Sequence, residues 1–255
     1  MIFNGKIALI TGSGRGIGSA IAKLMAESGA DVVINYIHNQ DSAQETAHEI
    51  NKLGRKTLII RANIGKPEGI EKLFTETEAA FGRLDFFIAN AASGFNRPAM
   101  QQKISGWDHT INVNARSFLF AAQRAVPLLQ KSGGGKILAI TSPGADRVLP
   151  DYVAVGASKA ALNALVRYLA VELAPLNINV NAIAPGIVET DALRHFSFMK
   201  QDDIIQQVVK NTPAGRLVTP HDVAELVVFL CSSSADMITG QIITIDGGYT
   251  LPVPN

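Results

Sequence analysis

The 255-residue chain has one cysteine, Cys231, so no disulfide can form within it. That fits a reducing compartment and a cytoplasmic location. It has no excess of either charge: 23 basic and 22 acidic residues leave a formal net charge of +1, which gives no reason to expect a nucleic-acid or membrane partner. No apolar run approaches the length of a membrane span, and the opening "MIFNGKIALITG" is too short in apolar residues for a signal peptide. It shows no low-complexity stretch, no short repeat and no Pro/Gly/Ser linker, so a single domain over residues 1–255 is expected. No metal site is expected.

What the chain does have is a high hydrophobic content, 47%, enough for a buried sheet. Short β-branched runs alternate with longer amphipathic ones. The candidate strands are 6–10, 31–35, 57–61, 85–89, 136–140, 178–183 and 241–245, with helical periodicity between them, as at Ile17 to Glu27 and Ile70 to Phe81. Near-continuous apolar strands alternating with helices predict an α/β, Rossmann-like, doubly wound parallel sheet of seven strands with helices on both faces. Two segments break the regularity: "SPGADRVLPD" (142–151), and a long stretch over about 187–215 that contains "DALRHFSFMKQDD". Both follow strand C-terminal ends, where open α/β sheets bind ligands. The second is expected to be a substrate lid; a packed helical insertion is its alternative.

"ALITGSGRGIG" joins the first strand to the first helix. Its glycines Gly12, Gly16 and Gly18 permit a tight turn and close approach of a pyrophosphate to helix N–H groups. A glycine pattern alone is weak, but here it has the required strand–turn–helix setting. An NAD site usually ends the second strand with an acid; "VVINYIHNQ" supplies none before Asp41. Arg15 can reach that region and His38 can assist, which favours the 2′-phosphate of NADPH. Asn90, in "IANAAS", is expected to hold the loop beside the cofactor or simply to stabilise its turn. Asn114, in the helical stretch "TINVNARSFLF" (110–120), is expected either to hold water or a bend near the site, or to be a satisfied core amide.

The glycine loop, the "NAA" turn, "NVNA", Ser142, Lys159 and "APGIVET" (184–190) occur in that order. Over essentially the whole chain this combination resembles the short-chain dehydrogenase/reductase family. The resemblance implies a homotetramer and a catalytic set of Ser142, Tyr152, Lys159 and Asn114. It also implies cofactor contacts from Gly12, Ser13, Arg15, Gly16, Ile17, Gly18, His38, Asn63, Ile64, Asn90, Lys159, Pro185, Gly186, Val188 and Thr190. Asn63, in "RANIG", stands where the family often has an Asp beside the adenine.

One departure is informative. The family's usual Tyr-x3-Lys would put a tyrosine at position 155, which is Val155; the nearest is Tyr152, seven positions before Lys159. That spacing, with "NAASGFNRP", "RYLAVELAP" and "NTPAGR", resembles the NADPH-dependent type III enoyl-acyl-carrier-protein reductases. Their chemistry suits a displaced acid. A ketone takes hydride on its carbonyl carbon, whereas an enoyl thioester takes it on the β-carbon and develops charge on an oxygen farther along. On a helix, i and i+7 share a face about 10.5 Å apart, against about 6 Å for i and i+4. Val155 is then expected to offer an apolar surface to the acyl chain. The implied activity is reduction of a trans-2-enoyl thioester in fatty-acid or polyketide synthesis, with acyl carrier protein the expected carrier and coenzyme A or a polyketide carrier domain its alternatives. A 3-oxoacyl-thioester ketoreductase and a non-catalytic dinucleotide-binding regulator are the alternatives. Arg97, Arg147, Arg194 and Lys200 are candidates for a basic patch facing an acidic carrier.

Overall fold

The computed structural model describes residues 1–190 and 202–251, with side chains left undescribed also at 202–204. Seven strands form one sheet: β1 (Ile7–Ile10), β2 (Asp31–Tyr36), β3 (Thr57–Arg61), β4 (Phe86–Ala89), β5 (Gly135–Ile140), β6 (Ile178–Pro185) and β7 (Ile242–Ile245). Every pairing is parallel and the order is 3-2-1-4-5-6-7. The chain leaves β1 toward β2 and β3, then returns to build β4 on the other side of β1. The crevice at that reversal is where such sheets bind ligands.

Alternation along each strand divides the core in two. Leu9 faces a cluster with Phe74 of α3 (Pro67–Phe81), Phe118 of α5 (Ser117–Gln130) and Val166 of α6 (Val153–Leu173). Ala8 and Ile10 face the opposite cluster, with Ile21 and Met25 of α1 (Gly16–Glu27), Ile50 of α2 (Gln40–Lys52) and Val227 of α8 (Pro220–Cys231).

Local chemistry sets the helix ends. Asn39 caps α2 by accepting from the Ser42 N–H. Pro67 opens α3, and Gly82 closes it in a left-handed conformation, φ 72°. Thr219 and Asp222 form a reciprocal capping box on α8. The stretch expected as one helix over 110–120 is interrupted: α4 (Ile104–Ile111) runs into a π-helical turn, Asn112–Arg116, before α5 begins. Of the expected lid, Arg194, His195, Phe196, Phe198, Met199 and Lys200 lie outside the described residues; its later part includes α7 (Asp202–Asn211). Among the described residues, no helix is long and apolar enough to cross a membrane, and no group of three His, Cys, Asp or Glu could hold a metal ion.

Candidate active site

At the sheet's switch point the glycine loop is braced from below. Gly12 turns at φ 64° and Gly16 at φ 58°. The Gly12 N–H donates to Asn35 Oδ1 at 3.2 Å, and the Ser13 N–H donates to the Asn35 carbonyl at 3.0 Å. Asn35, almost wholly buried in β2, also donates through Nδ2 to the carbonyls of Ile60 and Ala62, so one amide ties three segments to the loop. From the other side, Asn90 Nδ2 donates to the carbonyls of Thr11 (2.9 Å) and Gly12 (3.1 Å), while Thr11 Oγ1 accepts from the N–H groups of Asn90 and Ala91. Gly18 is required by close approach: a Cβ there would lie 2.4 Å from the Gly12 carbonyl oxygen and 2.6 Å from Asn90 Nδ2.

Arg15 precedes α1 in extended conformation and supplies no side-chain cap, which leaves first-turn N–H groups for a ligand. Ile17 sits in that turn against the core. Across the groove, Thr190 Cγ2 would stand 3.8 Å from a Cβ at Gly16, so the 185–190 segment forms the facing wall. Within that wall Pro185 and Val188 are buried, the Gly186 N–H donates to the Ile245 carbonyl, and Val188 bridges Val218. Glycines at the base and a helix N-terminus at one side make this cradle fit a dinucleotide.

His38, just past β2, and Arg15, just before α1, are exposed, and no acid ends β2. Arg61, which the sequence reading did not single out, pairs with Tyr36 in register and donates through Nε to the Ile37 carbonyl at 3.0 Å, placing a guanidinium beside His38. Its position as the last residue of "TLIIR" was the available signal. Asn63 Oδ1 accepts from the Gly65 N–H, and the Ile64 side chain is buried in the core, which leaves its backbone toward the groove.

The catalytic candidates gather past β5. Ser142 Oγ accepts from the Gly144 N–H at 3.1 Å and from the Tyr152 hydroxyl at a long 3.4 Å. Burial pushes the Tyr152 phenol above its ordinary pKa, and the hydrogen bond to Ser142 pulls it back. Lys159 is 5% exposed and donates through Nζ to the Ile140 carbonyl at 2.7 Å; burial lowers its pKa to about 8. Asn114 sits in the π-helical turn, where Oδ1 accepts from the Ser93 N–H and Nδ2 donates to the Ser93 carbonyl and to Ser158 Oγ. It lies at a backbone irregularity and its amide is hydrogen-bonded on both sides. A cavity of about 10 Å³, near the size of one water, lies between Asn114, Ser117 and Lys159.

One expectation needs correction. Tyr152 is the residue before α6, with φ −102° and ψ 8°, and its carbonyl accepts from the Gly156 N–H at 2.7 Å, the first i, i+4 bond of the helix. Its N-terminal neighbour Asp151 has a left-handed φ of 58°, and the Asp151 carbonyl accepts from the Arg97 N–H at 2.7 Å. Val155 is not an open apolar surface. It is 8% exposed, and its Cγ2 would lie 2.3 Å from a Cβ at position 94, so the loop after β4 closes directly over it through Gly94. The apolar groove lies on the other side of Tyr152. It has a volume of about 700 Å³ and is lined by Val148, Leu149, Tyr152 and Val153, with Arg97 and Arg147 among the charged residues of its wall.

Comparison with known proteins agrees in extent with this fold. A family model described as enoyl-(acyl carrier protein) reductase matches residues 12–250. The chain is 37% identical over 249 residues to 1-cyclohexenylcarbonyl-CoA reductase of Streptomyces collinus, covering 98% of this chain and 88% of that protein. It is 37% identical over 245 residues to 7alpha-hydroxysteroid dehydrogenase of Escherichia coli K12, covering 96% and 94%. A 7alpha-hydroxysteroid dehydrogenase solved with NADH and 7-oxo glycochenodeoxycholic acid superposes with a TM-score of 0.90 at 36% identity, covering 96% of this chain and 94% of that one.

Proposed function

The chain belongs to the short-chain dehydrogenase/reductase family and is an oxidoreductase; from that premise we propose that it is an NADPH-dependent enoyl-acyl-carrier-protein reductase. The observation that carries this reading is the displaced tyrosine: position 155 holds a buried valine, and the phenol beside Ser142 comes instead from Tyr152, before α6. A relative named as a reductase of a CoA thioester, 1-cyclohexenylcarbonyl-CoA reductase of Streptomyces collinus, supports the thioester part of the reading.

NADPH would lie with its pyrophosphate on Gly12, Ser13, Gly16, Ile17 and Gly18, its adenine toward Asn63 and Ile64, and its nicotinamide toward Asn90, Pro185, Gly186, Val188 and Thr190. Arg15 would hold the 2′-phosphate, with His38 and Arg61 beside it. When bound, it supplies the hydride that C3 of a trans-2-enoyl thioester accepts. Tyr152 donates a hydrogen bond to the thioester oxygen, where negative charge develops. Lys159 would hold the nicotinamide ribose. Proton delivery to C2 or to the enolate oxygen runs through Tyr152 or water. Ser142 orients the phenol, and Asn114 fixes the loop at Ser93 against α6. The acyl chain occupies the groove lined by Val148 and Leu149, and Arg97 and Arg147 face the acidic carrier. A homotetramer in the cytoplasm completes the reading.

NADPH oxidation with crotonyl and acetoacetyl thioesters tests it. Crotonyl turnover is expected, and the proposal is falsified if only the β-ketoacyl thioester is reduced. That second outcome, a ketoreductase, has one observation in its favour: Tyr152 already contacts Ser142, the pairing the family resemblance assigns to carbonyl reduction.

A further inference from the structure

The ring of Tyr152 lies beside two residues that have no side chain, Gly144 and Gly156. A Cβ at Gly144 would lie 2.6 Å from Tyr152 Cε1 and 2.7 Å from Cδ1, with Leu149 Cδ1 next at 3.1 Å. A Cβ at Gly156 would meet the Gly144 carbonyl oxygen at 2.7 Å and Tyr152 Cδ1 only at 3.7 Å. The two glycines therefore do different things. Gly156 lets α6 approach the turn after Ser142, a backbone matter. Gly144 meets nothing so close as the tyrosine ring, and its φ is not positive, so its conformation is open to alanine.

We propose that Gly144 is a positioning residue for Tyr152, holding open the space that lets a tyrosine at this displaced position bring its hydroxyl to Ser142. The inference rests on reading Tyr152 as the oxyanion donor. A methyl group at 144 would lie within 2.7 Å of two ring atoms, so the ring must shift, and its hydroxyl contact with Ser142 Oγ has little slack at 3.4 Å. The Gly144 N–H, which donates to that same Ser142 Oγ, is kept in the variant, so the loss falls on the phenol alone.

Gly144→Ala tests this on the full chain. Crotonyl-thioester kcat is expected to fall at least tenfold, with NADPH affinity by fluorescence titration changed less than twofold. In a Tyr152→Phe background the same change should reduce kcat no further, because the hydroxyl it displaces is already gone. A second cycle reads stability alone: Gly144→Ala should lower Tm in the native chain and leave it unchanged in a Tyr152→Ala background, where the ring is absent. Additive losses in kcat, or an equal Tm loss in both backgrounds, overturn the proposal. If the stability cycle couples while crotonyl thioester is not reduced, the positioning stands and the enoyl reductase reading falls.

Discussion

The glycine loop and the tyrosine segment lie on the same crevice and are held in place by different means. The loop is fixed by hydrogen bonds from the buried amide of Asn35 and the half-buried amide of Asn90, each contacting it twice or more. Such fully satisfied polar brackets are stiff, because displacing one strands several buried groups. The tyrosine segment is exposed along most of 146–151 and is held by a ring in a glycine slot, one 2.7 Å backbone hydrogen bond from Arg97 and a left-handed Asp151. A scaffold that binds the same cofactor throughout a family can be rigid. The part that, in the proposed reaction, decides which carbon is reduced is held by packing, which single side chains can retune.

The largest effect should come from removing the hydroxyl that the second region positions. Tyr152→Phe keeps the ring in its slot and is expected to lower kcat roughly 10²–10³-fold, about 3–4 kcal/mol. NADPH affinity should hardly change, since the bracket is untouched. Full activity in this variant would mean that the tyrosine segment does not carry the chemistry, and the contrast between the regions would then be one of packing only. Adding Val155→Tyr should not rescue it, because Gly94 already sits against Val155 and a larger side chain must first lift that loop.

Lys159 lies where the two regions meet, and it should trade stability for function. Its pKa is lowered from 10.5 to about 8 by burial. The unfolded chain therefore binds the proton more tightly than the folded one. The cost is full below pH 8 and is relieved as pH rises toward 10.5, so this group makes stability increase with pH across that window. A shift of this size corresponds to on the order of 3 kcal/mol. Lys159→Met should lose turnover and cofactor affinity, yet unfold less readily than the native chain at pH 7. The difference should shrink between pH 8 and 10. Thermal or urea unfolding across that range checks it; a pH-independent difference would show that the lysine's charge is not what burial penalises.

How much of this was legible in the sequence follows the same division. All seven strands stand within two residues of where apolar runs place them, because buried parallel strands carry their signal locally. The glycine turn was legible for the same reason, as a contiguous motif. Asn35 was not: it lies in an ordinary-looking strand, and its role appears only when β1, β2 and β3 are side by side. Val155 was misread because its neighbour, Gly94, is 61 residues away in the chain and no periodicity links them. The π-helical turn at Asn112–Arg116 escaped because its residues read as a continuous helix with two poor formers in it. Nor does a tyrosine before a lysine reveal that it precedes the helix rather than occupying it.

Asn35 offers a test of the bracket itself. Replacing it by alanine removes the acceptor for the Gly12 N–H and the donor to two buried carbonyls. The expected cost is about 1–3 kcal/mol of stability. KM for NADPH should rise while kcat at saturation stays near the native value, the opposite split from Tyr152→Phe. A fall in kcat with KM unchanged would show that the two regions are coupled rather than separately held.

The smallest effect should come from the edge of the bracket, at Arg15. Its side chain is exposed and takes no part in capping α1, so the fold does not depend on it. A guanidinium hydrogen-bonded to a phosphate contributes about 1.5–3 kcal/mol, the range for hydrogen bonds to charged groups. Solvent exposure and the neighbouring Arg61 and His38 should hold the loss at the low end of that range. Arg15→Ala is therefore expected to raise KM for NADPH roughly tenfold and to leave KM for NADH unchanged, because NADH has no phosphate for the residue to bind. Arg15→Lys should recover only part of the loss, since an ammonium cannot reproduce the planar fork. The assay is a pair of saturation curves, one for each cofactor, on the native chain and both variants. Equal preference for NADH and NADPH in the native chain would show that the acid missing from the end of β2 is not compensated by these cations, and the cofactor assignment would fall with the rest of the site intact.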